Sequence, residues 1–136
     1  MPLTRMLRSI AAVLGGYLIF ALSAVALFQL SGRDPHATQP LWFVVASVLY
    51  GMAFAAAGGF FAARVASARP LAHAVTVGVV LALGAAVSLV ASPGDGATWS
   101  QWTALLLMAP STCIGGYLAV QSRRSAAASA PLEQGR

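Results

Sequence analysis

The chain of 136 residues has no lysine, no asparagine, a single cysteine and only three acidic residues. Each shortage removes a class of function. Cys113, standing alone, has no partner for an internal disulfide or for the paired-thiol chemistry of membrane oxidoreductases. Charged residues make up 8% of the chain. A soluble domain carries about 25%, so there is too little charge here to clothe a globular surface. Lysine-free and rich in Ala, Gly and Arg, the composition reads as the product of a GC-rich bacterial genome. The net charge of +5 comes from arginines at the ends of apolar runs, where they act as topology signals and not as a nucleic-acid footprint.

What the chain does have is long apolar runs. A helix needs about 20 apolar residues to cross the hydrocarbon core. Residues 10–30, 41–63, 71–90 and 99–120 meet that length without one Asp, Glu, Lys or Arg. The breaks SGRDPHATQP, RVASARP and ASPGDGA each contain proline, as turns do. The expected fold is all-α, an integral membrane bundle of four transmembrane helices over residues 1–121, followed by a short disordered tail at 122–136. Arg5 and Arg8 with the following apolar run and Ala24-Val25-Ala26 also look like a secretory signal, but the run continues through Leu27, Phe28 and Leu30, which suits a span.

Arg5, Arg8, Arg64, Arg69, Arg123 and Arg124 fall on one side of the membrane, against Arg33 on the other. The positive-inside rule then predicts N-in/C-in topology in a bacterial inner membrane, with Trp42, Trp99 and Trp102 at the outer interface.

Glycine pairs followed by an aromatic recur at Gly15-Gly16-Tyr17, Gly58-Gly59-Phe60 and Gly115-Gly116-Tyr117, all predicted in the cytoplasmic half. In lipid, small residues let helix backbones approach. Gly51, Ala55 and Gly59 recur every four residues in the second span, Gly78 and Ala82 at the same spacing in the third, and these two helices are predicted to form the tightest pair.

The stretch MAPSTCIGGY interrupts the fourth span with polar residues and a proline. Pro110 lacks an amide hydrogen and crowds the Leu106 carbonyl, which predicts a kink repaired by the Ser111 and Thr112 hydroxyls. A sharper alternative makes Pro110, Ser111 and Thr112, with Tyr50 at similar depth, a candidate polar pocket of the kind found at broken transporter helices. Cys113 is expected to be a small inert hydrophobe and His73 an interfacial residue. Asp34, His36 and Asp95 lack a ligand motif and read as solvated loop residues. Nothing resembles a nucleophile with its base or a nucleotide loop, so no catalytic residue, metal or cofactor is assigned and the chain reads as no enzyme.

Ionisable residues inside a span mark proton relays and ion-coupled transport. None lies at mid-depth here. Small multidrug exporters, also four-helix proteins, rely on an embedded glutamate in the first helix that this chain lacks. The string GGFFAARVASAR and the apolar run after it resemble small bacterial four-helix inner-membrane proteins of unknown function, a resemblance that implies a fold and no activity. Two functions remain. One is a non-enzymatic accessory or assembly subunit, with the lipid bilayer, further copies of itself or another membrane protein as partners. The other is a small-molecule transporter or channel acting as an oligomer.

Overall fold

A computed structural model describes residues 2–91 and 97–129. Among them there is no strand, and four helices are long and apolar enough to cross a membrane. Helix α1 spans Pro2–Ser31, α2 Leu41–Val65 and α3 Pro70–Ala91. Helix α4 is built of three stretches: α-helical Trp99–Thr103, a π-helical turn Ala104–Met108 and α-helical Ala109–Ser129. The four run alternately up and down, so both described ends of the chain lie at one end of the bundle, the termini end. The α1–α2 loop closes the other, the far end.

Local chemistry sets the boundaries. α3 opens on Pro70, whose missing amide hydrogen costs nothing in a first turn. α1 stops at Gly32, which adopts φ +63°. There the Gly32 amide donates to the Gln29 carbonyl and the Arg33 amide to the Phe28 carbonyl, the paired bonds of a Schellman cap. Two predicted boundaries move. α1 begins eight residues before the apolar run because Leu, Arg and Met are good helix formers, which places Arg5 and Arg8 within the helix. α4 runs through 122–129, the first part of the expected tail, because that Ala- and Arg-rich stretch also favours helix. The Arg123 guanidinium ties it to the Arg64 carbonyl on α2. Asp95 and residues 130–136 lie outside the described residues.

The core is built of small residues. One buried cluster joins Ala55, Leu81, Met108 and Ala109, and a second joins Ala63, Ala74 and Ala119. Backbones meet at the glycine pairs. A Cβ on Gly58 would collide with the Gly16 carbonyl, one on Gly59 with the Thr112 carbonyl, and one on Gly115 with the Ala56 carbonyl. Gly16 also faces Val77 and Ala62, Gly15 faces the Phe61 ring, and Gly116 faces Ala74. The three glycine pairs therefore interlock as one layer.

The tightest pair is α2 with α4, not α2 with α3 as the spacing predicts. The reason lies in Gly59 and Gly115, which bring those two backbones together, and in Gly51, which receives the Met108 side chain. Gly78 on α3 also packs on α4, against Ala109 and Thr112. The buried stripe of α3 runs through Ala74, Val77, Gly78, Leu81 and Ala85, and Ala82 lies beside it, only partly buried. Helix α1 is peripheral: 17% of its most apolar window is buried, against 39% in α4.

Candidate functional site

Pro110 does not sit where a pocket needs it. Its ring is exposed on the outer face of α4. The chain meets the missing amide hydrogen by widening the preceding turn, so that the Ala109 amide reaches back to the Ala104 carbonyl. Ser111 Oγ donates to the Leu107 carbonyl at 2.8 Å and Thr112 Oγ1 to the Ala109 carbonyl at 2.8 Å. Both hydroxyls are buried and spent on their own helix, neither on Leu106. Tyr50 points elsewhere: its hydroxyl donates to the Ser23 carbonyl on α1 at 3.2 Å. The structure thus separates Tyr50 from Ser111 and Thr112.

Tyr50 instead lines a half-open cavity of about 210 Å³ in the far half of the bundle, walled by all four helices. α1 contributes Tyr17, Phe20 and Ser23 to its wall, α2 Ser47 and Tyr50, α3 Leu81, Gly84 and Ser88, and α4 Trp99, Gln101 and Met108. The wall is mainly apolar and aromatic, with hydroxyl, amide and imidazole groups set into it, the imidazole that of His36, and it has no Asp, Glu, Lys or Arg. A preformed apolar concavity with a few convergent polar groups is the usual form of a small-molecule site.

Ser47 is the unusual member of that wall. It is 3% exposed, and its Oγ has no hydrogen-bond partner. A helical serine ordinarily returns its hydroxyl to the carbonyl four residues back, as Ser111 does here. Leaving such a group unpaired in a dry interior costs about 1–3 kcal/mol.

The far end of the cavity is roofed by the α1–α2 loop, which is laced to the start of α4. The Ala97 amide donates to the His36 carbonyl at 2.7 Å, Trp99 Nε1 to the Ala37 carbonyl at 3.1 Å and Ser100 Oγ to the Pro35 carbonyl at 2.9 Å. Gln101, 6% exposed, donates through Nε2 to His36 Nδ1 at 2.8 Å and to Ser88 Oγ at 3.4 Å. Below the roof, Phe28 packs against Phe43 and Trp99 with ring centroids 6.2 and 6.4 Å apart. Arg33 Cζ lies 4.6 Å from the Phe43 ring and 5.2 Å from that of Trp42.

Asp34 and His73 make local bonds. Asp34 accepts from the His36 amide at 2.8 Å in a tight loop turn. His73 Nδ1 lies 3.1 Å from the Arg69 carbonyl at the termini end. Cys113 is half-buried. Among the described residues, no three His, Cys, Asp or Glu side chains gather as metal ligands. Sequence reasoning missed Ser23, Ser47, Ser88 and Gln101 as neighbours. Gln101 carried the one available signal, a long amide just inside the fourth apolar run.

No protein-family model, curated protein or solved structure matches the chain.

Proposed function

We propose that this multi-pass membrane protein is a non-enzymatic binder of a small neutral molecule, held in the far-half cavity. Ser47 carries the reading: the residue lines the cavity, its buried Oγ bonds to no described residue, and a χ1 rotation would present that hydroxyl to an occupant. That no Asp, Glu, Lys or Arg lines the cavity matches a neutral occupant. The arginine distribution supports N-in/C-in insertion in a bacterial inner membrane, which puts the cavity in the outer half. The binder reading also serves the transport alternative, with the cavity in place of MAPSTC as the holding site. The accessory-subunit reading rests on the bundle itself, whose lipid-facing rows carry large side chains such as Leu18, Leu22, Leu83 and Val87, open to a partner helix as well as to lipid.

Native mass spectrometry of protein extracted gently from its own membranes separates these readings. The binder carries a small-molecule adduct that Ser47→Ala loses. A stoichiometric foreign subunit without an adduct establishes the accessory role instead. Wild-type protein carrying neither overturns both.

A further inference from the structure

We infer that the occupant is a membrane-dissolved molecule with a single-ring, carbonyl- or hydroxyl-bearing head of the quinone or quinol class and an apolar tail, admitted sideways between α1 and α3. The inference rests on the binding reading above and adds the route and the chemical class.

The route follows from which sides are closed. Toward the far end, the loop bonds to Trp99, Ser100 and Gln101 shut the cavity from above. Toward the termini end, Gly16 against Gly58 and Val77 closes it from below. On the α2–α4 side the Met108 side chain fills the space over Gly51. On the α1–α3 side Gly84 is a cavity-wall residue and also exposed, and a Cβ added there would meet no atom within 4 Å. A window at Gly84 in the middle of an apolar helix opens on lipid, so what enters is already dissolved in the bilayer.

The class follows from size and lining. A cavity of about 150 Å³ accepts benzene. The 210 Å³ here therefore fits one substituted ring. Phe20, Phe28 and Trp99 offer ring faces and edges to stack on. Ser47 Oγ–H on α2 is a donor with no acceptor among the described residues, and the Ser88 hydroxyl on α3, held at the roof by the Gln101 amide, is a neutral partner. Ring oxygens facing two directions satisfy both sets, and the tail leaves through the Gly84 window.

The test uses full-length protein in lipid nanodiscs with Trp42→Phe and Trp102→Phe, leaving Trp99 as the only indole. The probe is 2-decyl-1,4-benzoquinone, whose ring quenches indole on contact. Saturable quenching is expected, weakened about tenfold or more by Ser47→Ala, by Gly84→Leu and by Ala24→Leu from the facing helix, a loss the size of one good buried contact. Val87→Ala, on the exposed row of the same helix and outside the cavity wall, is the folded control and leaves quenching intact. Saturable, Ser47-dependent quenching that ignores both window variants overturns lateral entry. Unsaturable quenching, with decanol shifting Trp99 emission only when Ser47 is present, overturns the ring class and keeps the binding site. No Ser47-dependent response to either probe overturns the binding reading as well.

Discussion

Gly16 and Gly58 face each other across the α1–α2 seam so closely that a Cβ on Gly58 would run into the carbonyl oxygen of Gly16, and one on Gly16 would lie 2.6 Å from that of Gly58. No side chain intervenes that could rotate away. Gly58→Val is therefore expected to destabilise the protein by at least the roughly 1–3 kcal/mol of an overpacked core, with α1 released first because it is the least buried span. Gly84→Ala, a helical glycine with open space around it, should be neutral or gain up to about 1 kcal/mol. Thermal unfolding in detergent compares the two.

Ser47→Ala should make the unliganded protein more stable, by about 1–3 kcal/mol, because it deletes a buried hydroxyl that bonds to none of the described residues. Most buried substitutions destabilise. A midpoint that falls would show that Ser47 holds the fold through its volume and would remove the main support for a site.

Pro110→Ala should leave the bundle standing, with stability changed by no more than about 0.5 kcal/mol. The ring is exposed, and Ser111 and Thr112 are bonded independently of it. A large loss would mean that the π turn is needed to hold α4 against its neighbours.

Topology has a direct check in a Cys113→Ala background. Thr38→Cys, in the exposed α1–α2 loop, should react with a membrane-impermeant maleimide applied to intact cells. Ser67→Cys, in the exposed α2–α3 loop, should react only after the membrane is opened. The reverse pattern would invert the orientation and move the cavity to the cytoplasmic half.

The fold was legible in the sequence because the bilayer imposes a length rule on each helix separately. The start of α2 and both ends of α3 follow the apolar run to within a residue. Partner choice was not legible at the same level. The four-residue ladders of α2 and α3 matched each other on paper, but Gly59 and Gly78 both turn toward α4. The site was lost for a related reason. Sequence position gives depth along a helix, and so it grouped Tyr50 with Ser111 and Thr112. It does not give azimuth relative to neighbours, and in the bundle Tyr50 looks toward α1 while the two hydroxyls fold back on α4. Ser47 was invisible as a special residue because its distinction is a bond that it does not make.

The roof of the cavity also sets an order in time. The bond from Ser100 to Pro35 joins residues 65 apart, and Gln101 meets His36 across the same separation. A chain emerging from the ribosome presents its α1–α2 loop long before α4 exists to fasten it. Until the last span inserts, Ser47 lies in an open groove between helices, accessible to lipid and to the insertion machinery. The roofed site is therefore the final product of biogenesis, and a nascent chain halted after α3 would hold most of its membrane spans and no place to bind.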